Sequence, residues 1–287
     1  NFGGPSSRWY SGSGIYRNAW LTVTDPVHVN PDGTYISTDG VDEVKIQTEV
    51  VNKAAYAANV TVVHNIIDAE DKVVQTIEGT SQNIASQEIV KDTQTTTISS
   101  PRLWDIDDPY VYRVETQIKS NGTVVDEYLS VFGFKTIEMD PDEGFYLNGR
   151  HIKLEGACMH HDLGALGAAV NYRALERQME IMKDMGVNAI RLSHNAPTPE
   201  LLEICDRMGL LVVNELHDTW NQGKIPNDHS RFFGKWHEQD TKTWVRRDRN
   251  HPSMIMWGIG NEIQETGSDQ NTIKIAENLV RYIREED

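Results

Sequence analysis

The first half of the chain alternates apolar and polar residues with a period of two. In the segment VKIQTEVVN, the side chains of Val44, Ile46, Thr48 and Val50 fall on one face, and ANVTVVHNII repeats the pattern. This period is typical of half-buried β-strands. Turn-forming stretches such as PDG, AEDK and SNGT separate about seven such runs between residues 21 and 139. The pattern predicts a β-sandwich of immunoglobulin-like architecture.

After residue 140 the pattern changes, and continuous apolar runs alternate with stretches of helical period. Such alternation predicts βα units around a parallel sheet. The predicted strands are HIKLEGA, VNAIRLS, LLVVNE and MIMWGIGNE, and each is apolar over most of its length. Such runs are typical of a parallel sheet that is buried on both faces. We therefore predict a sandwich joined near Pro141 to part of an α/β barrel.

Helical patterns fill the segments between these strands. The first, YRALERQMEIMKDM, has apolar residues at three- and four-residue spacing, which predicts a buried stripe. This stripe consists of Leu175, Met179, Met182 and Met185. The next helix is predicted to begin at Pro199 and to stop at Gly209, because proline suits a first helical position and glycine a helix end. A third is predicted roughly from Gly234 to Arg249.

Composition narrows the classes of function. The chain has 287 residues, of which 38% are hydrophobic, so it can fill the cores of two ordinary domains. Its 27 basic and 43 acidic residues give a net charge of −16, which argues against a nucleic-acid partner and leaves neutral ligands open. The two cysteines, Cys158 and Cys205, do not indicate a disulfide framework. No apolar run approaches the length of a membrane span.

Polar residues follow every predicted strand of the second half. The carboxyl ends of barrel strands meet at one edge, where barrel enzymes hold their active sites, so these residues are predicted to form one site. They are His160, His161 and Asp162; Arg191, His194 and Asn195; Asn214, Glu215 and His217; and Asn261 with Glu262. Glu262 alone would fit a surface residue or a cap, but four adjacent strand ends favour a catalytic carboxylate.

Some of these residues have alternative interpretations. His160 and His161 could both bind a metal ion, as in metallohydrolase barrels, only if the strand ends before them, because neighbours on a strand point to opposite faces. We rank this metal site second. Arg191 could serve as a counter-ion for Glu215 or for Glu262.

Tryptophans near these strand ends could stack on a sugar ring or belong to the core. Trp220 follows a strand end, so we expect it to be the most exposed of them and to contact substrate. Trp257 lies inside an apolar strand and is expected in the core, and Trp236 fits either place.

Five segments together resemble glycoside hydrolase family 2, and most of all its β-galactosidase members. They are RWYSGSGIYRNAWL, LWDIDDPYVY, GACMHHDLGALGAAVN, AIRLSHNAPTPELLEICDRMGLLVVNE and VRRDRNHPSMIMWGIGNE. They follow the order that they have in the family and extend over essentially the whole chain.

The resemblance implies a role for several strand-end residues. It makes Glu262 the acid/base of a retaining mechanism, and Asn261 a ligand of the sugar 2-hydroxyl group. It places His194 and His160 in the substrate pocket and Arg191 beside the catalytic carboxylates. With these we also group Glu215 and Trp220 as substrate-binding residues. Retaining hydrolysis requires a second carboxylate as nucleophile, about 5 Å from the first.

The sequence departs from the family pattern in three places. An N-terminal sugar-binding jelly-roll domain is reduced to a tail, residues 1–20. Where some members carry a glutamate and histidine that bind magnesium, this chain has Thr219 and Asn221, so we expect no metal or other cofactor. The family's nucleophile comes from a later strand, so we expect the chain as given to be inactive.

The resulting prediction is a segment of a retaining exo-β-glycosidase that acts on a carbohydrate substrate. It comprises a jelly-roll tail (1–20), an immunoglobulin-like sandwich (21–139) and the first half of a TIM barrel (140–287). β-Glucuronidase or β-mannosidase activity and a non-catalytic carbohydrate-binding or scaffold module are the alternatives. Open sheet edges predict self-association through apolar side chains on the inward face. These side chains are Leu154, Ile190, Val212 and Ile255.

Overall fold

The computed structural model describes residues 14–265 and 270–287, which form two compact units. One unit comprises Leu21–Lys153 and Asn250–Pro252. The other comprises residues 14–20 together with Leu154–Arg249 and the described part of Ser253–Asp287. Residues 1–13 of the predicted jelly-roll tail lie outside the described residues, and 14–20 group with the barrel unit.

The first unit is built from antiparallel strands. In chain order they are β1 (Val27–Asp39), β2 (Glu43–Asn52), β3 (Ala58–Ile67), β4 (Val73–Glu78), β5 (Gln82–Ile84), β6 (Ile89–Thr97), β7 (Tyr112–Ser120) and β8 (Thr123–Phe132). One sheet has the order β1-β2-β6, and the other has the order β4-β3-β7-β8 with β5 paired to β3. The predicted immunoglobulin-like sandwich is therefore confirmed.

The period-two pattern corresponds to burial along β2. Val44, Ile46, Thr48 and Val50 are fully buried, whereas Lys45 between them is exposed. Their apolar side chains belong to clusters that also contain residues of the opposite sheet, such as the β3, β7 and β8 residues Ile66, Val114 and Phe132. Burial of such side chains is the main source of stability for a sandwich.

A small sheet follows the sandwich near the predicted boundary. It consists of β9 (Ile137–Asp140), β10 (Gly144–Leu147) and β11 (Arg150–His151), in the order β11-β10-β9. By their contacts these strands group with the sandwich unit, which extends to Lys153. The prediction that HIKLEGA forms one strand is wrong, because the Asn148–Gly149 turn folds its first residue, His151, back into the hairpin strand β11.

The second unit alternates strands and helices. Its elements are β12 (Gly156–Met159), α1 (Tyr172–Asp184), β13 (Ala189–Leu192), α2 (Pro199–Met208), β14 (Leu211–Glu215), α3 (Ser230–Asp248), β15 (Met254–Gly258) and α4 (Gln270–Glu286). The four strands form a parallel sheet in the order β12-β13-β14-β15. This is the predicted partial barrel.

In the described part of the chain, no helix is long and apolar enough to cross a membrane.

Helix ends follow the sequence signals. Helix α2 begins at Pro199 and is followed by Gly209, which adopts the left-handed conformation at φ 70°. In α1, Leu175 and Met179 are buried. The predicted stripe is wrong at Met185, which caps the helix and is 71% exposed, because the last turn extends past the sheet that the stripe covers.

The side chains on the inward face of the parallel sheet are not the ones that were predicted. Ile190 and Val212 are fully buried in the cluster that α1 and α2 form with the sheet, so they do not line the inward face. Arg191 and Val213, which follow them along the strands, lie on that face together with Met256, which pairs with Val213 and is 42% exposed. The exchange arises because shifting a strand by one residue turns every side chain to the other face.

The two remaining residues of that set also differ from the prediction. Leu154 precedes β12 and is outside the sheet, and Ile255 is 9% exposed at a register shift between β14 and β15. Self-association through the sheet edges stays a prediction.

Two methionines of one helix provide a matched test of this packing. Met179→Ala removes a fully buried side chain and should lower the free energy of unfolding of the barrel unit by about 2–5 kcal/mol. Met185→Ala, at an exposed position, should change it by less than about 0.5 kcal/mol. Urea denaturation followed by circular dichroism at the helix band measures both, since every α-helix named above belongs to this unit. Equal effects of the two substitutions would contradict the assigned stripe.

Candidate active site

The carboxyl ends of β13, β14 and β15 bring polar side chains together. Arg191 lies in β13, His194 lies two residues after the end of that strand, and Glu215 is the last residue of β14. Asn261 follows β15 by three residues. Hydrogen bonds connect these four predicted residues, so the structure brings them together at this edge of the sheet.

A buried carboxylate lies at the centre of the group. Glu215 is 3% exposed, and its Oε2 accepts hydrogen bonds from Arg191 Nη2 at 2.6 Å and Nε at 3.1 Å. Its Oε1 lies 2.6 Å from Nδ1 of His194. Burial lowers the pKa of Arg191, but its hydrogen bonds with Glu215 and Cys158 and their charges outweigh that effect and raise the pKa overall. The guanidinium therefore stays charged, and Arg191 is the counter-ion of Glu215.

Gly258 makes room for this carboxylate. A Cβ atom at position 258 would lie 2.9 Å from both Cβ and Cγ of Glu215, its register neighbour on β14. Real Cβ atoms do not approach so closely, so only glycine fits beside Glu215. This explains one glycine of the sequence MIMWGIGNE.

Asn261 is held at several atoms. Its Oδ1 accepts from Arg191 Nη2 at 3.0 Å, and its Nδ2 donates to Asp218 Oδ1 at 2.9 Å. Its backbone N–H donates to the carbonyl of His217 at 3.0 Å. The residue is 5% exposed. Both the side chain and the backbone are therefore fixed before any ligand binds.

Glu262 has a different environment from its neighbour. It is exposed, and its backbone has a φ of 41°, in the left-handed region that non-glycine residues rarely adopt. Such a conformation costs on the order of 1–3 kcal/mol and is common at functional sites. Strand β15 ends at Gly258, so Glu262 lies in the loop beyond it and not at the strand end itself.

Two charged residues that the sequence analysis missed complete the network. Lys224 Nζ donates to Asp218 Oδ1 at 2.8 Å and to the backbone carbonyl of Asn261 at 2.7 Å. Asp218 follows β14 by three residues and could have been included with the other strand-end groups. Lys224 is in a loop with no periodic pattern, so the sequence offered no signal for it.

The two histidines after β12 lie at the edge of the same region. The strand ends at Met159, and the His160 ring is perpendicular to that of His194, with 5.3 Å between centroids. His161 Nδ1 lies 3.0 Å from Asn195 Oδ1, and burial, assisted by the charge of Arg17, lowers the pKa of His161.

A cleft adjoins His160 and His161, and its lining also includes Leu175 and Met179. Within residues 14–265 and 270–287, no three histidine, cysteine, aspartate or glutamate side chains are grouped so that they could bind a metal ion.

The expectation that Trp220 is exposed is wrong. It is 3% exposed, its Nε1 donates to the carbonyl of Ile259 at 2.8 Å, and it packs with Phe233 and Leu279. The loop after β14 folds back over the sheet edge, so this side chain supports the β15 loop instead of presenting a face to a sugar. Trp257 is half-buried, and Trp236 is 37% exposed.

His217 is also buried, although it belongs to the predicted strand-end set. Its Nε2 lies 3.2 Å from Thr241 Oγ1, and its ring packs against Phe233 and beside His229. Burial, followed by the charges of His229 and His237, lowers the pKa of His217 to about 3. This histidine is therefore neutral in the folded chain near neutral pH.

The fold and the site together define a class of protein, a β-sandwich followed by an α/β-barrel segment with carboxylates at its strand ends. The model of "Glycosyl hydrolases family 2, TIM barrel domain" matches residues 138–287, and that of "Glycosyl hydrolases family 2" matches residues 27–135. The chain belongs to glycosyl hydrolase family 2.

Similar proteins have related names. Beta-galactosidase BoGH2A of Bacteroides ovatus is 49% identical over 92% of this chain, and a putative beta-glucuronidase of Formosa agariphila is 37% identical over 90%. A crystal structure of a family member from Bacteroides cellulosilyticus superposes with a TM-score of 0.92 at 37% identity and covers 97% of the chain. The chain spans 32%, 24% and 36% of these three proteins, respectively.

The buried His217 should make stability depend on pH. Its pKa of about 3 in the folded chain is below the ordinary 6.5, so between these values only the unfolded chain takes up a proton, and stability falls as the pH falls. Between pH 7 and pH 5 this residue should cost the wild type about 2 kcal/mol of unfolding free energy. His217→Phe should remove that part of the loss. Urea denaturation at both pH values measures it, and an unchanged pH dependence in the variant would contradict the assignment.

Proposed function

We propose that this chain supplies the proton donor of a retaining exo-β-glycosidase that hydrolyses terminal β-linked sugars, with Glu262 as acid/base. The observation that carries this proposal is the contrast between two consecutive residues. Asn261 is buried and fixed by Arg191 and Asp218, and Glu262 directly after it is exposed. A general acid needs a fixed backbone and a carboxyl group that the leaving group can reach.

Glu215 is a poor candidate for the nucleophile. Both of its oxygens accept short hydrogen bonds, from Arg191 and from His194, and it is buried. Its role in the proposal is to orient those two residues. Family resemblance assigns the nucleophile to a later barrel strand, so the proposed double displacement requires a longer chain that contains that strand.

The remaining predicted residues have binding roles in the proposal. His194 uses Nδ1 for Glu215, so the opposite ring nitrogen can bind a sugar hydroxyl group. His160 packs against the His194 ring and can line the same pocket. Asn261 would contact the 2-hydroxyl group, where hydrogen bonds strengthen in the transition state.

An uncharged sugar fits this part of the site better than a uronic acid. The cations Arg191 and Lys224 are already paired, with Glu215 and Asp218 respectively, so neither offers an unsatisfied charge to a sugar carboxylate. The relative at 49% identity is named a beta-galactosidase, which supports the same choice. β-Glucuronidase is the second candidate because relatives at 37% and 29% identity have that name. β-Mannosidase activity, known in the family, is a further alternative.

A protein that contains this chain and a complete barrel allows a direct test of Glu262. Glu262→Gln should lower kcat/KM by a factor on the order of 10² or more for β-glycosides with poor leaving groups, which need protonation. Activated aryl glycosides should lose much less in the glycosylation step, because their leaving groups depart unprotonated. Pre-steady-state measurement of that step with both classes checks this.

Glu277→Gln is the matched control, since it makes the same change at an exposed position of α4. It should retain wild-type rates. Equal losses for both leaving-group classes in Glu262→Gln would exclude the acid role. Activity unchanged by Glu262→Gln would favour a non-catalytic carbohydrate-binding or scaffold role for this segment.

Substrate choice is tested with paired aryl glycosides. The longer protein should hydrolyse an aryl β-galactoside with a kcat/KM at least about tenfold above that for the β-glucuronide. The reason is that the carboxylate of the glucuronide would enter the site without a cation to form an ion pair. The 287-residue chain in the same assay should show no turnover, since the proposal places the nucleophile elsewhere. A preference for the glucuronide would establish the second candidate, and turnover by the chain alone would contradict the assignment of the nucleophile.

A further inference from the structure

Lys224 donates a hydrogen bond to the backbone directly before Glu262. Its ammonium group donates to the Asn261 carbonyl at 2.7 Å and to Asp218 Oδ1 at 2.8 Å. The Asn261 carbonyl belongs to the planar peptide unit that contains the nitrogen of Glu262. A donor fixed on this oxygen therefore restricts the orientation of the backbone that carries the Glu262 side chain.

The contacts of Lys224 are shielded from water. The side chains of Lys224 and Asp218 are 12% and 17% exposed, so their attraction is less screened than that of a surface ion pair. Asp218 Oδ1 also accepts from Asn261 Nδ2. One carboxylate oxygen thus binds the lysine and the asparagine together and closes a ring of hydrogen bonds around Asn261.

The loop that carries Lys224 is itself well ordered by hydrogen bonds. Asp228 Oδ2 accepts from the backbone N–H groups of Lys224 at 2.7 Å and Ile225 at 3.2 Å, and its Oδ1 accepts from that of Ser230 at 3.0 Å. Burial raises the pKa of Asp228, but these hydrogen bonds outweigh it and lower the pKa overall. The carboxylate stays ionised, so the lysine is positioned before substrate binds.

The contacts of Lys224 and Asp218 help to hold the left-handed backbone conformation of Glu262. At φ 41° the backbone is in a sparsely populated region, where a residue stays only if the surrounding structure holds it. Arg191 and Asp218 hold the Asn261 side chain, whereas Lys224 holds the carbonyl adjacent to Glu262.

We propose that Lys224, with Asp218 as its partner, is a positioning residue that holds Glu262 where it can protonate the leaving group. In this proposal Lys224 acts through Asn261 and not on the substrate, since two of its three donors are directed to Asp218 and to the Asn261 carbonyl. This inference rests on the proposed acid/base role of Glu262 and adds a specific means by which that role is achieved.

The test uses the longer protein and the change Lys224→Met, which keeps an unbranched apolar side chain but removes the ammonium group. Loss of alignment should lower kcat for alkyl β-galactosides by on the order of 10- to 100-fold, since small displacements of catalytic groups have effects of this size. KM should change little. The glycosylation rate for a dinitrophenyl β-galactoside should fall less than about threefold, because this leaving group needs no proton.

Two further variants control for general damage. Lys242→Met removes an ammonium group that pairs with Glu238 and Glu285 at the surface of α3, and it should leave both rates unchanged. Asp218→Asn keeps an oxygen for Asn261 Nδ2 but removes the charge that binds Lys224. It should show the same dependence on the leaving group in a milder form, and it provides the measurement if Lys224→Met does not fold.

The outcomes separate this inference from the proposed function. Wild-type inactivity, or a Glu262→Gln variant without effect, would overturn the proposed function. If those two behave as expected, wild-type rates in Lys224→Met and Asp218→Asn would overturn only the positioning role. Equal losses for both leaving groups, or a change confined to KM, would likewise overturn it, because they would indicate a structural or sugar-binding role.

Discussion

The site depends on one desolvated ion pair, that between Glu215 and Arg191. A carboxylate at 3% exposure is costly in the folded chain unless cationic or hydrogen-bonding partners compensate for its lost hydration. Arg191 supplies two donors to one oxygen, and His194 faces the other. Since Arg191 also reaches Asn261, the orientation that Glu215 imposes on the guanidinium passes to the loop that carries Glu262.

The parallel sheet makes this arrangement possible because it brings three strand ends to one edge. Arg191, Glu215 and Gly258 come from successive strands, and the missing side chain at Gly258 leaves the space that Glu215 fills. Residues far apart in sequence therefore form one connected network without a ligand. Such preorganisation is the main means by which a protein contributes electrostatically to catalysis.

Much of the fold followed from local sequence signals, and the deviations arise where tertiary contacts decide. Pro199 and Gly209 mark the ends of α2 because their own backbone preferences act at those positions. Trp220 carried no local signal of burial, since Phe233 and the Ile259 carbonyl that enclose it are distant in sequence. Lys224 could not be found for the same reason, because its partner Asn261 lies 37 residues away.

Asn261 and Glu262 are neighbours with opposite requirements. The first is buried and fixed by hydrogen bonds, and the second is exposed and has a strained, left-handed backbone. The proposed proton donor must be open to its leaving group, and Glu262 is exposed, yet exposed loop residues ordinarily have freedom that weakens alignment. Placing the fixed contacts on the buried Asn261 resolves the conflict. The planar peptide bond transmits that order by one residue, to the left-handed backbone of Glu262.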